Sequence, residues 1–146
     1  MARADCLLSW NMMCLDKTPT TTTKRRLDLL AAMVAEHSVS LVALQEAPVA
    51  DEIRVALGVD FTVERTPHRV ATAYNNRLWT CDVQKFSNPR VLALGLRATG
   101  AGSAVWMVNV HGLGMQVDDQ AKSGFIRQRV RSRLAELRAD FGSRAE

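Results

Sequence analysis

Leu41-Val-Ala-Leu-Gln-Glu46 decides how this chain is read. Four apolar residues follow Ser40, end in an amide and a carboxylate, and run straight into Ala47-Pro48. A run this short and this tightly flanked predicts a buried central strand. Burying a carboxylate without a partner is costly, so a glutamate at the mouth of a core strand calls for a cation, a hydrogen-bond network or water. Glu46 alone would more often cap a helix or face solvent, so the segments around it must decide.

Upstream, Leu27, Leu30, Ala31 and Val34 recur at i, i+3, i+4 and i+7 and predict a helix over 24–37 that docks on a sheet. The loop Lys17-Thr-Pro-Thr-Thr-Thr-Thr23 precedes it, and one of its last threonines is suited to accept a free N–H at the helix start. Residues 6–10 form an apolar run that reads as a first, buried strand stopping at Asn11. Strand, helix, strand implies a parallel pair.

Downstream, residues 50–57 suit a short helix ended by Gly58, and strands are expected over 61–65, 70–74, 77–81, 91–96 and 104–110. Turn signals at Thr66-Pro67, Asn75-Asn76, Asn88-Pro89 and Gly100-Ala-Gly102 separate them, and the stretch reads as an antiparallel meander. Alternation in the last strand puts Trp106, Val108 and Val110 on one side and Val105, Met107 and Asn109 on the other. Phe125, Ile126, Val130, Leu134, Leu137 and Phe141 then predict an amphipathic helix over 125–141 with its arginines outward.

Composition narrows the function. A chain of 146 residues, 47% hydrophobic and 23% charged, suits one folded domain and neither a disordered nor a fibrous protein. Its apolar runs last a few residues, against the roughly 18 of a membrane span, so no membrane role is expected. The start, with Asp5 before a run that breaks at Asn11, does not suit a secretory signal, and a cytoplasmic location is expected. Cys6, Cys14 and Cys81 are odd in number and form no Cys-x-x-Cys pair, so free thiols are expected. His37, His68 and His111 are too far apart for a helical zinc-ligand pair. The net charge of +4 sits at the end: residues 122–146 hold 7 Lys/Arg against 3 Asp/Glu, and the rest balance. Such a helix is first a solvated face, and second a surface for a polyanion.

Three polar groups therefore stand at or inside apolar strands: Asn11, the Gln45-Glu46 pair, and His111 in Val108-Asn-Val-His-Gly112. In order, Leu7-Leu-Ser-Trp-Asn11, Leu41-Val-Ala-Leu-Gln-Glu46 and Val108-Asn-Val-His111 resemble motifs of the endonuclease/exonuclease/phosphatase family. These are metal-dependent phosphodiesterases that include deoxyribonuclease I, apurinic-site endonucleases and inositol-polyphosphate phosphatases. The Leu-Gln-Glu segment is the most specific element; Arg26 with its helix, and Arg127-Gln128 with the terminal helix, fall where the family keeps similar features.

The resemblance implies an α/β fold, the first half of a four-layered deoxyribonuclease I-like sandwich, with mixed sheets and flanking helices. It implies hydrolysis of phosphoesters, nucleic acid among them, with Mg²⁺ or Mn²⁺. Glu46 would be a metal ligand with Asn11 as its companion, and His111 a phosphate contact or general acid, the three forming the catalytic set. Ser40 replaces the aspartate common before the glutamate strand, and Gly112 replaces a leucine. The family's Gly-Asp-x-Asn and Ser-Asp-His motifs have no counterpart; Asp140-Phe141-Gly142 only echoes the first. Residues 1–146 are thus expected to be the N-terminal part of one domain about twice as long. A homodimer or a complementary second half is expected to cover the sheet face left bare. The rival reading is a non-catalytic remnant that binds nucleic acid or a partner protein through the basic helix 125–141.

Overall fold

Thr20 starts the first helix. Its side-chain oxygen accepts the Thr23 N–H at 3.2 Å, which satisfies one of the backbone donors every helix start leaves free. Helix α1 accordingly runs Thr21–Glu36 and takes in the last three threonines of the loop. It buries Leu27, Leu30 and Val34 of the expected stripe together with Thr23, while Ala31 is only half-buried. The computed structural model describes residues 6–14, 20–88, 90–100, 104–111 and 135. The chain divides into two units, 1–111 and 112–146, and the fold described is that of the first. The helix expected over 125–141 lies, apart from Ala135, outside the described residues.

Strand β1 (Cys6–Asn11) pairs in parallel with β2 (Val39–Gln45), as a strand, helix, strand unit requires. Helix α2 (Ala50–Leu57) follows and ends at Gly58, whose φ of +84° suits glycine. Strands β3 (Phe61–Arg65) and β4 (Ala71–Asn75) form a hairpin, and β4 inserts beside β2, giving the order β1-β2-β4-β3. Strands β5 (Trp79–Asn88), β6 (Val91–Ala98) and β7 (Ala104–Val110) make a second, antiparallel sheet. The single meander expected over 61–110 is therefore corrected: its first two strands complete one sheet and its last three build another, with the switch at Asn75–Asn76. Half-buried alternation looks alike in either sheet, so the pattern reveals strands but not their pairing.

Burial explains the layering. On one side of the first sheet α1 and α2 bring Leu27, Leu30, Val34 and Ile53 against Val42, Leu44, Val63 and Ala73. On its other side Leu41, Ala43, Val70 and Tyr74 meet Trp79, Leu92, Leu94, Leu96 and Met107 of the second sheet. Helices, sheet, sheet are three layers, and β2 is buried on both faces, which is why it reads as an unbroken apolar run. The expectation that the inner face of the first sheet lies bare is overturned, because the chain's own second sheet covers it. Strand β1 is also not the buried strand expected. Among the described residues it is an edge whose residues alternate, Leu8 and Trp10 turned toward the helical side and Leu7 57% exposed. Gly95 lets the Trp106 ring lie across β6, since a Cβ there would come within 2.8 Å of the indole.

The cysteines are free, Cys14 buried and the other two partly so. No helix among the described residues is long and apolar enough to cross a membrane. Ser40 has a role of its own: its hydroxyl accepts the buried Trp79 indole N–H at 3.2 Å and so links the two sheets. Ser40→Ala leaves that donor without a partner. It is expected to lower unfolding free energy by about 1–3 kcal/mol in urea denaturation; an unchanged midpoint would show that the bond contributes nothing.

Candidate functional site

Parallel pairing brings the ends of β1 and β2 to one edge of the sheet, and antiparallel β4 begins there. Asn11 stands opposite Gln45 in the register. Past the strands the backbone stays paired: Met12 N–H donates to Gln45 O at 2.8 Å, Cys14 N–H to Glu46 O at 2.9 Å and Ala47 N–H to Arg69 O at 2.9 Å. The loops turn here through three non-glycine residues with positive φ: Met13 and Glu46 at 50° and Arg69 at 64°. Each costs about 1–2 kcal/mol, and such conformations persist where surrounding bonds over-determine them.

The Glu46 carboxylate is where the expected trio meets. Asn11 Nδ2 donates to Glu46 Oε1 at 3.3 Å, and His111 Nε2 lies 3.2 Å from the same oxygen. Asn11 Oδ1 accepts the Met13 N–H at 3.0 Å, which aims the amide nitrogen at the carboxylate. His111 is held through its own N–H, which donates to Arg90 O at 2.9 Å. The His111 and Glu46 side chains are 19% and 22% exposed, open enough for a ligand to reach them.

Beneath the trio lies Asn109, 2% exposed, a residue that the sequence reading placed on a strand face but gave no role. Its Nδ2 donates to Leu44 O at 3.1 Å and Ala71 O at 2.8 Å, and its Oδ1 accepts Gln45 Nε2 at 2.7 Å. One amide therefore joins β7 to both β2 and β4. Its signal was an amide on the Val105-Met107 side, the side that faces the core. Arg26 has a firmer task than expected: Nη1 donates to Met12 O at 2.7 Å and Met13 O at 2.8 Å, fixing the loop after β1.

No group of three or more His, Cys, Asp or Glu side chains suited to a metal occurs among the described residues. Glu46 offers a carboxylate at a strand end, while the Asn11 amide turns its nitrogen toward that carboxylate and its oxygen to the Met13 N–H. Both contacts to the carboxylate fall on Oε1. That donor set fits Mg²⁺, which is often held by one or two carboxylates with water and substrate phosphate completing its shell.

No protein-family model matches the sequence, and no curated protein matches it. Solved structures do. TDP2 of D. rerio complexed with single-strand DNA product aligns over 90% of this chain at 13% identity, with a TM-score of 0.65. The truncated TDP2 of Caenorhabditis elegans aligns over 89% at 19% identity, and the endonuclease domain of the telomere-specific retrotransposon TRAS1 over 85% at 14%, both with TM-scores of 0.53. The fold is the endonuclease/exonuclease/phosphatase fold. The alignment takes in 54%, 56% and 52% of those chains respectively, so this chain spans about half the length of the structures with which it shares that fold.

Two substitutions separate support from strain. Asn109→Leu strips partners from two buried carbonyls and from Gln45, and is expected to cost at least about 2 kcal/mol by chemical denaturation. Glu46→Asn removes the carboxylate yet suits the left-handed backbone that asparagine tolerates. Its melting temperature is expected to stay level or rise; a fall of several degrees would show that the bonds to Oε1 outweigh the strain.

Proposed function

We propose that this chain is the metal-binding half of a phosphoester hydrolase of nuclease or phosphatase type. Glu46 would ligate Mg²⁺ or Mn²⁺ with Asn11 as its companion, and His111 would contact the scissile phosphate or act as general acid. The observation that carries the reading is convergence. Residues 35 and 65 positions from Glu46 arrive on one of its carboxylate oxygens, at the edge of a fold shared with DNA-processing proteins. Bound there, the cation would neutralise phosphoryl oxygens as charge develops on them. Asn11 supplies an N–H donor that adds no charge. His111 Nε2, beside a carboxylate that keeps its ring oriented, can hold a proton where a leaving oxygen departs. No group among the described residues of this edge is placed to activate the attacking water.

The missing groups belong, in this proposal, to a complementary half. Strands β1 and β7 each pair on one side only among the described residues, and a groove of ≈ 670 Å³ opens between them. Its lining includes Leu7, Leu41, Val105 and Met107. A polypeptide about as long as this one, adding strands to both sheets, is the occupant that the half-length alignment favours. A second copy of the chain is the competing outcome. The free thiols suit a reducing compartment, and we place the protein in the cytoplasm.

Titration of the chain with Mn²⁺, read from amide line widths, is expected to broaden residues near Asn11, Glu46 and His111, with the effect gone in Glu46→Gln. Broadening elsewhere, or none, overturns the site. The chain alone is expected to show no metal-dependent phosphodiesterase turnover. Robust turnover that disappears in Glu46→Gln would show that it needs no second half. The open edges are further expected to bind a hydrophobic dye or drive self-association, so a monomer by light scattering that binds no dye would overturn the complementary-half proposal.

A further inference from the structure

Gln45 is the polar residue of the Leu-Gln-Glu segment that the proposed function leaves without a task. It ends β2, and with Leu41 and Ala43 it lines the face turned toward the second sheet. Alternation would send the next residue, Glu46, to the helical side with Val42 and Leu44. The left-handed backbone of Glu46, at φ 50°, breaks that alternation, and its carboxylate reaches His111 just past β7. Two neighbours on one strand end thus meet two residues of another, Gln45 with Asn109 at 2.7 Å and Glu46 with His111 at 3.2 Å.

The first of these contacts has a fixed polarity. Asn109 Nδ2 donates to Leu44 O and Ala71 O, so the amide cannot turn over without setting its oxygen against two carbonyls. Asn109 Oδ1 must then face Gln45, where it calls for a donor, and Gln45 Nε2 supplies one. An ionised glutamate of the same shape would offer only acceptors and would set a second negative charge beside Glu46. The Gln45 backbone serves the other neighbour: it lies opposite Asn11 in the register, and its carbonyl accepts the Met12 N–H at 2.8 Å. One residue is therefore bonded to the chain just past Asn11, to the strand that leads to His111, and covalently to Glu46.

We propose that Gln45 is the positioning residue of this site, and that its bond to Asn109 holds His111 against the Glu46 carboxylate. It acts through Asn109 and takes no part in the chemistry itself. This deepens the proposed function and rests on it for what the held pair does.

The test reads the imidazole nitrogen resonances of His111 in isotopically labelled chain at a single pH, with the exposed His37 as reference. Glu46→Gln is expected to shift the Nε2 resonance, because the imidazole loses its carboxylate partner. On a Gln45→Met background the same substitution is expected to produce less than half of that shift, since methionine fills the space and donates nothing. A Gln45→Glu background is expected to do the same. Ser40→Ala, which removes the other polar tie between the sheets, is expected to leave the full shift. A full shift in folded Gln45→Met overturns the proposal, as does an equal loss in Ser40→Ala, which would make any loosening of the sheets sufficient. No shift in the parent chain overturns it too, because the pair is then not held. Should Gln45→Met fail to fold, Gln45→Asn withdraws the donor by one methylene and is expected to lower the shift; a full shift there overturns the proposal. If Mn²⁺ broadens the Glu46 edge while the shift ignores Gln45, the positioning role fails and the function stands. If Mn²⁺ leaves that edge untouched while the shift depends on Gln45, the function fails and Gln45 still holds the pair.

Discussion

The buried amide of Asn109 joins the two sheets where the site is built. Most of the interface between the sheets is apolar and non-directional, and Leu41, Ala43, Leu94 and Met107 would tolerate a small slide of one sheet over the other. The bonds from Asn109 to Leu44 O, Ala71 O and Gln45 would not, because each has an angle and a length. His111 lies two residues further on, just past the end of the same strand, and Glu46 is two residues beyond Leu44. Fixing Asn109 against Leu44 therefore brings His111 Nε2 to 3.2 Å from the Glu46 carboxylate. Trp79 and Ser40 add a second polar tie between the sheets.

Strain is concentrated at the same edge. Three of the four non-glycine residues with positive φ among the described residues, namely Met13, Glu46 and Arg69, follow β1, follow β2 and precede β4. A loop chosen for stability would carry glycine or asparagine there. Keeping glutamate at φ 50° costs free energy that the backbone bonds of Met12, Cys14 and Ala47 offset. Arg26, bonding two carbonyls of the β1 loop, adds to that support. The edge is over-determined by hydrogen bonds and strained in its dihedrals, the combination that holds a polar group ready before a ligand arrives.

Much of this was legible in the residues, unevenly. The helix stripe from Leu27 to Val34, the run Leu41 to Leu44 and the alternation through Trp106 and Met107 each follow from one face of one element meeting a core, and those elements stand where the pattern puts them. The partition of strands between two sheets was not legible, because pairing partners leave no mark on half-buried strands. Nor was the edge position of β1, whose apolar composition conceals that only one flank has a neighbour among the described residues. At the site, Asn11, Glu46 and His111 stood out as polar interruptions of apolar runs, and the structure brings them together. Asn109 interrupts a run just as plainly, but its importance lies in reaching carbonyls of two other strands, which no local pattern encodes. Arg65 and Arg69 flank the turn between β3 and β4, where arginine is unremarkable until the fold brings them to the carbonyls of Ala47 and Cys14.

Charge at this edge also bears on what should occupy it. One carboxylate, Glu46, already shares its Oε1 between an amide and an imidazole, while Arg26, Arg65 and Arg69 bond only to backbone carbonyls. Those guanidiniums brace the loops after β1 and β2 rather than forming ion pairs, so the positive charge they bring to the edge stands beside a single carboxylate. A cation held by Glu46, as the proposed function has it, would add to that positive field, and an anionic ligand arriving with it would offset the excess.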